Sequence, residues 1–189
     1  DLIGAGWQEI AKQLQKPWIA CNRSADEGGS WRGTETERTA ELVSAIKLGA
    51  DIIDIELGTE NLEKTIKLIK KNNVKCLLSF HSLVGTPPID TLKEIAQSQF
   101  EAGADISKVV TTARNFADNL TVLQLIPEFP EQRIVAFAMG DLGLTSRILC
   151  PIIGGDFTYA SISEGRESAP GQITVQGLLK IYDMLKDGQ

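Results

Sequence analysis

Two side chains sit where an apolar strand has little use for them. The run Ile106 to Val110 holds Lys108 at its centre, and the run beginning at Lys75 ends in His81, the only histidine in the chain. Among β-branched neighbours a lysine is desolvated, which disfavours the ammonium and leaves an amine nucleophilic near neutral pH. An imidazole can both take and give a proton in that range. The competing reading of Lys108 is a strand-end lysine whose stem is buried and whose ammonium reaches water.

Further polar groups fall at or just beyond the ends of other apolar runs: Arg23 and Glu27, then Thr111 and Thr112, Arg147, and the loop 163–173. The run DIIDIEL (51–57) is different, because its acids lie inside it. Strand alternation puts Asp54 and Glu56 on one face and Ile53, Ile55 and Leu57 on the other. With the apolar face against helices, both carboxylates point the opposite way and need partners. Arg23, on the preceding run, is the expected partner, with the two acids positioning it.

The elements that must carry these residues alternate regularly. Strand-like runs cover 17–24, 51–57, 75–82, 105–113, 133–140 and 157–163. Between the early runs lie stretches such as 36–49, 62–73 and 87–103, whose apolar residues recur at three and four, the helical period. Gly49-Ala50-Asp51 and Gly103-Ala104-Asp105 close helices directly before strands, and Gly154-Gly155-Asp156 enters the last run in the same way. Such β/α units predict a parallel sheet with crossover helices. An open doubly wound sheet and a (β/α)8 barrel both fit. No phosphate-binding GxGxxG or GxxxxGK[ST] follows any strand, and the polar residues gather at strand C-terminal ends, where barrels build their sites. A TIM barrel is therefore expected, as one domain over residues 1–189. Six strands fall short of eight and the chain opens on a helix near Trp7 to Leu14, so about two N-terminal β/α units are expected to be missing.

Composition narrows the function classes. A net charge of −6 argues against nucleic acid and anionic membrane surfaces as partners. No apolar stretch reaches the length of a membrane span, and the first residues lack the pattern of a signal peptide, so a cytoplasmic protein is expected. Cys21, Cys76 and Cys150 read as reduced thiols rather than a disulfide framework. One histidine and no CxxC pair argue against a zinc site.

Five blocks occur in order: CNRSADEGGSW (21–31), SFHSLVGTP (79–87), GADISKVV (103–110), GLTSR (143–147) and ESAPGQIT (167–174). Together they resemble type I 3-dehydroquinate dehydratase of the shikimate pathway, over nearly the whole chain. The resemblance implies a TIM barrel, commonly a homodimer, that dehydrates 3-dehydroquinate to 3-dehydroshikimate through an imine, with no metal and no organic cofactor. Lys108 matches the Schiff-base lysine of the family, His81 the proton-shuttling histidine and Glu27 the carboxylate that orients it. Arg147 matches the arginine that binds the substrate carboxylate, and Arg23 an arginine facing the anionic ligand. Ser168 and Gln172 match the loop that closes over the substrate, with Gly165, Pro170 and Gly171 as its hinges and bend. Asp54 and Glu56 join the substrate-binding set through Arg23. An E-x-R pair that the family carries on its second strand has no counterpart here, so part of the binding wall is expected to be absent. A class I aldolase-type barrel lyase and a catalytically incomplete barrel fragment, including one from a fused shikimate-pathway enzyme, are the alternatives.

Overall fold

The computed structural model describes residue 2 and residues 6–186. Helix α1 (Trp7–Ala11) is followed by β1 (Ile19–Cys21), α2 (Glu35–Lys47), β2 (Ile52–Glu56), α3 (Leu62–Lys71) and β3 (Lys75–His81). Then come α4 (Ile89–Ala102), β4 (Ile106–Thr112), α5 (Ala117–Leu123), β5 (Ile134–Met139), α6 (Leu144–Ile152) and α7 (Val175–Lys186). The strands form one sheet in the order β1-β2-β3-β4-β5, and β1, β2 and β3 pair in parallel. This is the β/α alternation the sequence predicts. Among the described residues no helix is long and apolar enough to cross a membrane. All three cysteines are free.

The chain divides into two compact units, residues 1–81 with 94–108, and residues 82–93 with 109–189. In the first, Ile53 and Ile55 of β2 and Cys76 and Leu78 of β3 are fully buried in a core with Leu42 and Ala45 of α2 and Ile66 and Ile69 of α3. Each such isoleucine stabilises the fold by about 1.5–3 kcal/mol. A one-residue slip of β2 would forfeit that burial and turn Asp54 and Glu56 into the core, so the hydrophobic pattern locks the direction of both acids. Helix α2 starts in a capping box: Thr34 Oγ1 accepts from the Glu37 amide at 3.2 Å, and Glu37 returns to the Thr34 amide at 2.8 Å. Its buried residues are Arg38, Leu42 and Ala45, so an arginine occupies the apolar stripe of the helix.

In the second unit, buried polar contacts fix the start of α6. Ser146 Oγ accepts from the Ala138 amide at 2.8 Å and donates to the Gly143 carbonyl at 2.9 Å. Asn119 of α5 accepts from the Ser146 amide at 3.1 Å and donates to the Leu142 carbonyl at 2.7 Å. A Cβ on Gly143 would lie 2.4 Å from the Ala138 carbonyl oxygen, so only glycine lets this turn close on β5.

One predicted strand is corrected. Residues 157–163 form no ladder; only Ser161 bridges, to Thr174. Its amide donates to the Ile173 carbonyl at 2.9 Å, and its carbonyl accepts from the Val175 amide at 2.9 Å. Alternation there does reflect packing, since the Tyr159 ring meets Phe137 and Phe157 edge-on with centroids 6.1 and 5.5 Å apart. Side-chain period alone does not make a strand when the backbone lacks a partner ladder. The predicted opening helix also ends earlier, at Ala11 rather than Leu14.

Candidate active site

The first unit gathers six of the nine candidate residues. Lys108 of β4 is 7% exposed, which removes the reading of an ammonium reaching water. Its Nζ does not end among apolar groups either: it lies 2.9 Å from Asp54 Oδ2. The other oxygen of Asp54 accepts from Arg23 Nη2 at 2.7 Å and from the Ser79 hydroxyl at 2.7 Å. Arg23 Nη1 donates to Glu56 Oε1 at 2.9 Å and to Ser79 Oγ at 2.5 Å. The pairing of Arg23 with both acids of β2 is thus realised, and Asp54 additionally links Arg23 to Lys108.

These contacts set the charge states. Burial opposes the Asp54 carboxylate, but Arg23, Lys108 and the hydrogen bonds from Lys108 and Ser79 outweigh it and hold the pKa well below the ordinary range. Burial likewise opposes the Arg23 cation, and Asp54 leads the groups that more than offset it and raise its pKa.

Beside this cluster, His81 Nδ1 sits 2.7 Å from Glu27 Oε2. Burial first, then the positive charges of Lys108 and Arg23, push the imidazole down to about 2, so it is neutral throughout the physiological range. Glu27 is pushed up to about 7, first by burial, with Glu56 and Asp54 adding to the rise against the pull of Arg23. At neutral pH the pair therefore carries its proton on either partner: an ionised Glu27 accepts from Nδ1–H, and a protonated Glu27 donates to Nδ1.

The backbone explains how Glu27 reaches the histidine. A single 3-10 turn over Ala25–Glu27 is closed by Gly28 at φ 84°, the left-handed region where glycine costs nothing. Gly29 then packs on the Arg23 backbone, where a Cβ would stand 2.0 Å from the carbonyl oxygen. The two glycines fold the loop back over Arg23.

The other three candidates lie in the second unit. Arg147 of α6 is 2% exposed, with its guanidinium carbon 4.5 Å from the centre of the Phe137 ring. Nη2 donates to the Pro170 carbonyl at 3.3 Å, and Nε has no partner among the described residues. Burial alone pushes its pKa down to about 10. Ser168 and Gln172 bond each other: Gln172 accepts from the Ser168 amide at 2.9 Å and donates to Ser168 Oγ at 2.9 Å. Gly171 passes so close to Gly140 that a Cβ would meet its carbonyl oxygen at 2.2 Å.

Sequence reasoning missed three contributors. Ser79 (fully buried) ties Arg23 to Asp54 from within an apolar run. Arg38 reaches Glu56 from α2, with Nη1 and Oε2 2.5 Å apart. Gln99 of α4 accepts from Ser107 Oγ at 2.5 Å and donates to the Lys108 carbonyl at 3.2 Å, fixing the strand beneath the lysine. A charged or amide group on the buried stripe of a helix was the available signal for Arg38 and Gln99. Among the described residues no group of three or more His, Cys, Asp and Glu side chains is arranged to hold a metal ion.

A buried lysine, a carboxylate against its ammonium and a neutral imidazole with its own carboxylate are the parts of an amine-based covalent site. Comparison with known proteins points the same way. The family model described as type I 3-dehydroquinase matches residues 2–189. A 3-dehydroquinate dehydratase of Dehalococcoides mccartyi is 45% identical over 182 residues, 96% of this chain and 82% of that protein. A solved type I 3-dehydroquinate dehydratase of Clostridium difficile superposes with a TM-score of 0.82 at 27% identity, covering 92% of this chain and 70% of that one. For the 3-dehydroquinate dehydratase of Geobacillus kaustophilus the TM-score is 0.84 at 28% identity, over 90% and 68%.

Proposed function

This chain belongs to the type I 3-dehydroquinase family, and from that premise we propose that Lys108, His81 and Glu27 carry its chemistry. The reaction is the dehydration of 3-dehydroquinate to 3-dehydroshikimate in the shikimate pathway, on the TIM-barrel-like fold of the family. The single observation that supports the assignment most is the 2.9 Å contact between the buried Lys108 Nζ and Asp54, with the neutral His81 beside this cluster.

In this reading Lys108 passes a proton away and its amine attacks the C3 ketone. The carbinolamine loses water, and the resulting iminium acidifies the proton at C2. Loss of that proton gives an enamine, whose electron pair expels the C1 hydroxyl as water once it is protonated. Hydrolysis of the imine then returns Lys108. His81, neutral and held at Nδ1 by Glu27, has Nε2 left for the reacting groups and serves as the proton carrier. Asp54 anchors the lysine before attack, and Arg23 is kept in place by Asp54 and Glu56. Arg147 takes the substrate carboxylate, for which its planar fork is suited, and Ser168 and Gln172 contribute the loop contacts. The protein acts as a single barrel domain in the cytoplasm and as a homodimer, with neither nucleic acid nor membrane as partner.

Mixing the protein with 3-dehydroquinate, adding borohydride and locating the mass increase by peptide mass spectrometry tests the assignment. The expected adduct is a secondary amine on Lys108. An unlabelled protein, or a label on another lysine, removes Lys108 from the mechanism.

A further inference from the structure

Among the candidate residues Arg38 touches only Glu56, yet it is 2% exposed and uses all five of its donors. Nε and Nη2 each donate to Glu35 at 2.7 Å. Nη1 donates to Glu56 Oε2 at 2.5 Å and to the Asn22 carbonyl at 2.8 Å, and Nη2 also reaches Thr59 Oγ1 at 3.1 Å. A leucine would suit this stripe of α2 without the desolvation that a buried guanidinium suffers. What the arginine adds is a link. From Glu35 the charges alternate through Arg38, Glu56, Arg23 and Asp54 to Lys108, with successive contacts of 2.7, 2.5, 2.9, 2.7 and 2.9 Å.

We propose that Arg38 is a positioning residue for the nucleophile: by holding Glu56 Oε2, it keeps Arg23 shared between Glu56 and Asp54 and so limits how firmly Asp54 retains the Lys108 ammonium. This rests on the Schiff-base reading above. Glu56 Oε1 accepts from Arg23 and from the Ser24 amide, which leaves Oε2 to Arg38. Without Arg38, both oxygens of Glu56 compete for the Arg23 fork, whose preferred grip on a carboxylate is bidentate. Arg23 is then drawn from Asp54, and the cluster loses one positive charge. Asp54 keeps only Lys108 and Ser79, and the added negative field holds the proton on the amine that must lose it before attack. The charged and titratable groups that act on Lys108 are Cys21 of β1, Asp54 of β2 and His81 of β3, and behind them stand Arg23, two residues past β1, Glu27 of the 3-10 turn and Glu56 of β2. None of these is removed by changing Arg38, so a displaced profile reports the altered field.

The test measures borohydride trapping with 3-dehydroquinate, together with kcat and KM, across roughly pH 6 to 10 for the wild type, Arg38→Met and Glu35→Gln. Arg38→Met is expected to displace the rise of trapping and of kcat to higher pH by about one unit, which is about a tenfold loss at neutral pH that closes at the alkaline end. Glu35→Gln removes a negative charge from the outer end of the series and is expected to displace the rise the other way, by less. Because Glu35 is partly exposed, that variant keeps the proposal testable if Arg38→Met fails to fold. A loss parallel at every pH, which a packing role predicts, or profiles superimposable on the wild type, would overturn the inference while leaving a labelled wild type to support the Schiff base. Absence of label on wild-type Lys108 overturns both.

Discussion

Arg23 and Arg147 are the same residue type, similarly buried, and both match anion-facing arginines of the family, but their surroundings are opposite. Arg23 is saturated by Asp54, Glu56 and Ser79, so its charge is stabilised by the fold itself. Arg147 faces an aromatic ring and one carbonyl, has no carboxylate partner among the described residues, and keeps its charge against burial. A saturated guanidinium is a structural member and an electrostatic weight in its cluster. A guanidinium without a counter-ion gains most from an incoming carboxylate. In the proposed mechanism the first unit tunes a nucleophile and the second grips an anion.

The sharpest way to break that division is to remove its two ends. Lys108→Ala is expected to lower kcat by at least about 10⁴-fold, as loss of a covalent nucleophile does in a concerted site, and to abolish trapping. Gln172→Ala, in the loop of the second unit, is expected to raise KM by about tenfold, the scale of one hydrogen bond to a charged group, with kcat little changed. Comparable losses of kcat in both variants would erase the distinction.

Stability separates the two arginines next. Arg23→Met strands two buried carboxylates, and breaking a buried pair from one side costs about 3–5 kcal/mol. Arg147→Met removes a buried cation that has no carboxylate to leave behind, so unfolding free energy is expected to change by less than about 1 kcal/mol while KM rises about 10–100-fold. Denaturant titration of both variants beside their kinetics is the measurement. Equal destabilisation would mean that Arg147 is as structural as Arg23.

Period and position made part of this legible. The alternation of β2 pointed Asp54 and Glu56 to one side, and only Arg23 lay on a neighbouring strand to meet them. Only block resemblance singles out Lys108, His81 and Glu27, which no periodicity distinguishes from an ordinary strand lysine, a strand-end histidine and a loop glutamate. The contact of Asp54 with Lys108 is hidden because it depends on how the side chains of β2 and β4 converge, and the sequence offers the lysine only apolar neighbours or water. Arg38 is hidden by its type: it lies four residues before Leu42 on the buried stripe of α2, and a helical period counted on apolar residues passes over an arginine. The run 157–163 misled because aromatic alternation there records packing on Phe137 rather than a strand.

The two titrations beside Lys108 oppose each other in pH, which the Arg147 side lacks. The folded state favours protonated Glu27, so the stability this group contributes is complete below its ordinary value of 4.5 and is lost as pH rises through about 7. It favours neutral His81, whose contribution is complete above 6.5 and is lost as pH falls toward about 2. Glu27→Gln isolates the first effect. Relative to the wild type it is expected to gain stability between pH 4.5 and 7, by on the order of 1–3 kcal/mol, while losing activity because His81 is no longer oriented. Melting temperatures that stay parallel across this window would contradict the raised Glu27 value.

The smallest contrast is between two serines. Ser79 is fully buried and its hydroxyl bridges Arg23 and Asp54. Ser168 is exposed, and its partner Gln172 lies in the same loop. Ser79→Ala leaves a buried charge pair short of one bond on each side, which costs about 1–3 kcal/mol. Ser168→Ala is expected to stay within about 0.5 kcal/mol of the wild type, as surface changes do. Kinetics should then invert the order. Ser168→Ala acts on KM, through a loop contact with substrate. Ser79→Ala acts on kcat, because Asp54, relieved of one donor, leans more heavily on Lys108. An unfolding experiment alone would rank Ser79 as the more important residue; KM measured beside it tells whether Ser168 belongs to the grip or is only a turn.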